Sequence, residues 1–472
     1  MTMKSRRYLL ATFLSISTFN IQAQTLNSAY FTNDFKYRHT MNPAYDNSSN
    51  YIAIPALGNV NVRTQANFGY DAVIMPNPLA GQPGQKLMAT FMHPEIDNGT
   101  ALGGFSTGTN IFLGNINATL LSAGFKSFGG YSTIEINAKG TFGLSVPYEL
   151  LEFAKNTGNR SYEIGNIEAN AMAWTEIAFG HSRNISEKLR VGAKIKFLLG
   201  VGRADLKLEN MRADLTQANR WIVSGSATAD VSMKSFKFKE ETKEYKNDER
   251  GSYRRVNDVE IDKFGLDGFG LAFDLGGVYK IDHEWTVSAA LLDIGFISWS
   301  NDNQACNATS QFEFDGFHDV AVTNDRPGKY GTITQQSDNY IDQITDFINV
   351  QDQGDKGGRT TGIGATLNVG ASYNFPGYRP LTIGLLSSTR IYGPYSWTEG
   401  RLSANWSPVK WLNGGVNVAV GSLSSSAGWV LNIHPKGFNF FVGMDHILGK
   451  LSKEGIPLSA KASATVGMNV TW

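Results

Sequence analysis

With a single cysteine, Cys306, in 472 residues, the chain has no internal disulfide to staple it. No His and acid pair can be placed beside that thiol from sequence, so it reads as a loop residue and not as a nucleophile. The seven histidines, His39, His93, His181, His283, His318, His434 and His446, are scattered without metal-ligand spacing and read as turn, rim and loop residues. Gly265, Gly268 and Gly270 precede a strand pattern rather than a helix, which removes a phosphate cradle. Asp352 and Asp355, with Gly354 and Gly357, lack the oxygen-ligand spacing of an EF-hand. No catalytic, cofactor or metal residue is nominated, and the chain is read as a non-enzyme.

Long apolar runs are also missing. Beyond the first two dozen residues none reaches 18, which excludes helical membrane spans. Charge of either sign is sparse, at 18% of residues, and balanced at 42 basic against 42 acidic. Such a balance gives no reason to expect nucleic acid as a partner.

What is present points to export. Lys4, Arg6 and Arg7 precede the mostly apolar stretch Tyr8 to Phe19, and Ala23 before Gln24 fits a cleavage site, so residues 1–23 are expected to be a signal peptide. About a dozen apolar residues are too few for a bilayer core of ~30 Å. No cysteine follows them, which argues against a lipoprotein anchor.

The remaining chain alternates. At its end Ala464, Val466, Met468, Val470 and Trp472 interleave with Thr465, Gly467, Asn469 and Thr471, the pattern of a strand with lipid on one face and water on the other. Trp472 is the expected closing-strand signal for barrel-assembly machinery, with a ring suited to a membrane interface. Fifty glycines and 12% aromatics suit a barrel wall. From Ile363 to Tyr373 the odd positions are expected to face lipid. In Leu189 to Leu199 the apolar set opposes Arg190, Lys194 and Lys196, and Glu176 in the preceding strand is the expected partner of those lumen charges. Short turns at Asn184 to Lys188, Ile281 to Glu284, Pro376 to Pro380, Pro408 to Lys410 and His434 to Lys436 alternate with longer connections.

The fold class is therefore all-β, a transmembrane antiparallel up-and-down barrel of about fourteen strands (twelve to sixteen) over residues 60–472, embedded in outer-membrane lipid. Long surface loops are expected at 234–263, densely charged and either mobile or a hairpin, and at 301–359, with an amphipathic helix over 337–350. A second helix is expected over 147–156. Residues 24–59 alternate poorly but carry Tyr37, Met41, Tyr45 and Tyr51, so they are expected to plug the lumen.

Several runs carry a resemblance: Tyr37-Arg38-His39-Thr40-Met41-Asn42-Pro43-Ala44, Ile54-Pro55-Ala56-Leu57-Gly58-Asn59, Pro147-Tyr148-Glu149-Leu150, Leu291-Leu292-Asp293-Ile294-Gly295-Phe296 and Asp445-His446-Ile447-Leu448. In this order they resemble a domain-of-unknown-function family of Bacteroidota outer-membrane barrels. More distantly they resemble FadL-type fatty-acid transporters and PorV-type barrels of type IX secretion, which share the element matched by Asn42, Pro43 and Ala44. The resemblance implies a Gram-negative outer-membrane barrel with a plug or gate at Asn42, Pro43, Ala44, Tyr37 and Tyr45. It implies either binding or passage of a lipophilic small molecule or, as the alternative, a non-transporting scaffold for secreted or surface proteins.

Overall fold

Blocks of period-two sequence pair with their neighbours along the chain until the sheet closes on itself. The structure, a computed structural model, describes residues 26–156, 158, 160–217, 220–246, 248–317, 332–447 and 462–472; the expected signal segment lies outside them.

The first wall strand is split into Tyr51–Ala53 (β1) and Val60–Ala66 (β2), and a small ribbon, Ile74–Pro76 (β3) with Met88–Thr90 (β4), follows in the next connection. Four long strands come next: Thr109–Ser127 (β5), Gly130–Pro147 (β6), Ser161–Asn184 (β7) and Leu189–Gln217 (β8). Arg220–Met233 (β9) pairs with the upper part of β8, and Phe236–Glu244 (β10) with Ser252–Ile261 (β11) makes a separate hairpin. Gly268–Lys280 (β12) and Trp285–Trp299 (β13) resume the wall; Asn303–Asn307 (β14), Gln311–Phe314 (β15) and Val350–Asp355 (β16) build outward from β9. Arg359–Gly362 (β17) and Ala365–Asn374 (β18) together make the next wall strand. Leu381–Ile391 (β19), Trp397–Val409 (β20), Leu412–Gly421 (β21), Ser425–Ile433 (β22), Phe438–Met444 (β23) and Ala462–Thr471 (β24) complete it. Every pairing between these strands is antiparallel, and β24 returns to β1 and β2, which closes a barrel of fourteen strands.

The wall starts at Tyr51, earlier than the Val60 expected from sequence. Alternation fails between them because the strand is broken at 54–59: Pro55 lacks an N–H, and Ala56 takes a left-handed φ of 59°. Both neighbours are still served there, since Ile54 N–H donates to Met468 O and Ala56 N–H to Leu120 O. A second departure concerns Ile363, which is buried at 2% exposure on the lumen side and not in lipid. Gly364, with φ of 81°, shifts the phase between β17 and β18, so alternation counted through it assigns Ile363 to the wrong face.

Outward faces carry the lipid belt, for example Ile195, Leu275, Leu367, Leu385, Val416 and Val466, all exposed. Exposed rings gather at the short-turn end: Phe128, Trp285, Tyr378, Trp406, Trp411 and Trp472. An apolar band edged by aromatics is what a bilayer demands of a barrel wall. Asn50 and Trp472 exchange backbone hydrogen bonds there, joining both ends of the wall.

At the other end the connections are long. The charged loop is the β10–β11 hairpin, laced by Arg255–Glu241, Lys239–Glu260 and Arg254–Glu240. Within the 301–359 connection a helix runs Ile333–Ile348, begun by a capping box of Thr332 and Gln335; its residues 318–331 lie outside the described residues. The helix Tyr148–Lys155 starts after Pro147 and packs Tyr148 and Leu151 onto an apolar cluster from the 67–108 connection.

Candidate functional site

Residues 26–50 lie inside the wall. Their rings cannot sit in water without cost, so Tyr30, Phe35, Tyr37 and Met41 pack with Tyr51 and Phe441 into one buried cluster. Polar anchors fix its orientation. Asp445 accepts the backbone N–H groups of Asn27 at 2.9 Å and Ser28 at 2.6 Å, and the Ser28 hydroxyl as well. Tyr37 donates to Asn469 Oδ1 at 2.9 Å. Asn42 donates to the carbonyls of Gly277 and Ala289, each at 3.2 Å, while its own oxygen accepts Ala44 N–H. Pro43 rests where β8 and β12 have no side chain: a Cβ on Gly192 would lie 2.1 Å from Pro43 O, and one on Gly276 would lie 2.1 Å from Asn42 Oδ1. The Asn-Pro-Ala element is thus keyed to two wall glycines. Tyr45 is less enclosed, under the Arg38 guanidinium at 3.8 Å.

The lumen charges named from sequence are each answered, though not in the pairing expected. Glu176 binds Lys139 at 2.7 Å; Lys194 binds Glu135 at 2.5 Å; Lys196 binds Asp274 and Asp293 at 2.7 and 2.6 Å; and Arg190 reaches Asp46. The reason is register. Glu176 stands opposite Leu198 on β8 and Asn137 on β6, and Lys139, two residues along β6 on the same face, is nearer than Lys194. Asp293 arrives through a bulge. Register between β12 and β13 slips past Asp274, and Asp293 takes a φ of 56°, so Leu292 and Asp293 both turn inward. A second network ties Arg63 and Arg401 to Glu399 and Asp445, with Arg63–Glu399 at 3.2 Å and Arg401–Glu399 at 2.7 Å.

His39 and His446 are both buried, His39 in the short helical turn Arg38–Thr40 of the plug and His446 in the bend that follows β23. His39 sits between Tyr51 OH at 2.9 Å and Lys194 Nζ at 3.0 Å, and Tyr51 continues to Ser122 at 2.8 Å. Since the Lys194 ammonium only donates, His39 Nδ1 accepts, and the ring proton lies on Nε2 toward Tyr51.

Above this plug is a cavity of about 90 Å³, space for roughly six to nine waters. Asn27 and Thr40 of the plug line it, together with Glu135, Asn137, Lys139, Lys194 and Asn368 on the wall and Trp174, Ile363 and Trp397 higher up. Asn368 also donates to Met41 O at 2.9 Å, joining the cavity wall to the plug. Two further recesses continue toward the long loops. The first, about 10 Å³, is pinched by Leu113, Phe142, Tyr392, Tyr395 and Trp397. The second, about 180 Å³, lies among Glu168, Asn170, Asp205 and Pro394. The turn 392–396 thus folds inward between them, with Tyr392 OH on Asn170 Oδ1 at 3.0 Å.

Sequence reasoning placed Lys194, Lys196 and Arg190 in the lumen but did not single out Glu135, Lys139, Asp274, Arg63, Glu399 or Arg401. The signal was available: Thr133, Glu135, Asn137 and Lys139 alternate with Ile134, Ile136 and Ala138. Among the described residues no cluster of His, Cys, Asp and Glu is arranged to hold a metal ion.

The profile of a family of unknown function, DUF5723, matches residues 43–445. The chain belongs to that family. The matched region of this DUF5723 chain runs from Pro43, keyed to the wall glycines, to Asp445, which holds the start of the plug. No curated protein matches the chain. Among solved structures it is similar to the CymD monoaromatic hydrocarbon channel, with 10% identity, 93% of each chain covered and a TM-score of 0.38. It is also similar to the Pseudomonas putida toluene transporter TodX, with 8% identity, 96% of this chain and 94% of that one covered, and a TM-score of 0.37. A Pseudomonas aeruginosa FadL homologue shows 8% identity, coverage of 96% and 97%, and a TM-score of 0.37.

Proposed function

We propose that the chain is a non-enzymatic outer-membrane barrel of a Gram-negative bacterium, exported through a cleaved signal segment, that admits a small molecule into the mid-lumen chamber. One observation carries this reading: a chamber inside a closed wall, between a floor made by the chain's own plug and a roof made by one inward-folded turn. An unobstructed pore needs neither. The lipophilic cargo expected from the resemblance is a finer form of the reading. It finds apolar surface at Trp174 and Ile363, but the floor and sides are amides, hydroxyls and ion pairs. A lipophile there would strip water from those groups and give back no hydrogen bonds, so a polar solute is the better fit.

A second reading, a scaffold for secreted or surface proteins, draws support from the superstructure of β9, β14, β15 and β16 and from Ile341, Ile344 and Ile348 exposed on the helix within it. Native mass spectrometry of the barrel extracted from outer membranes in mild detergent separates the two. A retained mass of a few hundred daltons supports the small-molecule reading, and a retained polypeptide without one overturns it in favour of the scaffold.

A further inference from the structure

Buried polar side-chain atoms without a hydrogen-bond partner are few in folded proteins, because each forfeits its hydration. Here seven of them line one cavity. Asn117 Oδ1, Glu135 Oε1 and Asn368 Oδ1 can only accept, Trp174 Nε1 and Trp397 Nε1 can only donate, and the hydroxyls of Thr141 and Ser388 do either. The charged groups beside them are committed: Lys194 to Glu135, Lys139 to Glu176, Lys196 to Asp274 and Asp293, and Arg390 to the Ile363 carbonyl at 2.9 Å.

We propose that the chamber binds a neutral, hydroxyl-rich small molecule of about monosaccharide size. This rests on the small-molecule reading above and deepens it. Neutrality follows from the pairing, since an anion would have to draw a lysine from its buried carboxylate or Arg390 from the Ile363 carbonyl, and a cation would have to split one of the ion pairs. Hydroxyl richness follows from the mixture of open positions. A hydroxyl both donates and accepts, so one kind of group answers the three acceptors and the two indole N–H groups alike. Size follows from the volume, since six to nine waters at ~30 Å³ each displace roughly 180–270 Å³ of liquid. The two indoles also offer apolar edges to the C–H faces that alternate with hydroxyls on a cyclic polyol.

The test uses the full-length barrel in detergent, titrated separately with D-glucose, myo-inositol, toluene, citrate and spermidine, while tryptophan fluorescence and native mass are recorded. D-glucose or myo-inositol is expected to give a saturable fluorescence change and a one-to-one adduct. Asn117→Leu, Thr141→Val and Trp174→Phe are each expected to weaken it about tenfold, the loss of one buried hydrogen bond, and the electrophoretic heat shift confirms that each variant folds. Trp174→Phe is the sharpest, because it keeps a ring and deletes the donor. An adduct with toluene alone overturns the polar class and leaves the small-molecule reading standing, and one with citrate or spermidine alone overturns neutrality. Polyol binding unchanged in all three variants overturns the location. No adduct with any probe, together with no probe flux into proteoliposomes, overturns both proposals.

Discussion

Asn42 illustrates how one side chain can hold a plug in place. Its amide satisfies two wall carbonyls and one plug N–H, so Asn42→Ala leaves all three short of a partner. A destabilisation of about 1–3 kcal/mol is expected, read as a lower urea midpoint. The glycine opposite tests the same seat from the wall side. Gly192→Val places branched carbon where Pro43 O lies, so the plug is expected to leave the seat while the wall still forms. Protease cleavage near residues 40–46, with an intact heat-modifiable barrel, would report it. Asp445 is the costlier position. Its carboxylate faces Arg63 and Arg401 and receives three donors from Asn27 and Ser28, so Asp445→Ala leaves two buried guanidinium groups to share the single carboxylate of Glu399. About 3–5 kcal/mol is expected, with the amino-terminal end of the plug released first in hydrogen exchange.

At the scale of elements, departures from regular strand structure carry the site. The bulge at Leu292 and Asp293 sends an acid to Lys196 that strict alternation would have faced toward lipid. The turn 392–396 does the reverse of a surface loop and fills the lumen, with Tyr395 filling the space beside Gly143. Tyr395→Ala is expected to open the pinch above the chamber and speed solute entry into proteoliposomes without changing the plug contacts. Outside the membrane, the helix Ile333–Ile348 docks on the charged hairpin through Asp346, which accepts from Tyr245 and Arg250. Burial first, and then the hydrogen bond to Asp346, push the Tyr245 hydroxyl up from 10.0 to about 12. A raised phenol pKa favours the protonated, docked form below pH ~10 and loses that contribution as pH climbs through about 12. Hydrogen exchange over 333–348 is expected to rise across that window, and flat protection through it would remove Tyr245 as the latch.

For the whole molecule, the wall and its contents answer different demands. The wall satisfies lipid and its own backbone by closing. The contents then have to fill a lumen that fourteen strands leave wide, and the chain does so with residues 26–50 and one turn. The intact barrel is therefore expected to show no porin-like conductance in a planar bilayer, and deletion of 26–48, which spares the Asn50 and Trp472 pairing, is expected to produce it. Open-channel currents from the intact barrel would contradict the occluded lumen.

Sequence alone determined the wall: its class, its approximate strand number, the positions of its short turns and both loop helices. Those depend on local alternation and turn chemistry, which a strand carries in its own residues. It missed the wall's true start at Tyr51 and the face of Ile363, because Pro55, Ala56 and Gly364 break the count on which alternation relies. Partners were decided only by tertiary structure. Alternation says that Glu176, Lys194 and Lys196 face inward, but which acid meets which base depends on register, on a bulge and on residues brought across the lumen from distant strands. The chamber is likewise a product of closure, since Asn117, Trp174, Asn368 and Trp397 come from four separate strands and share a cavity only once the barrel is shut over its plug.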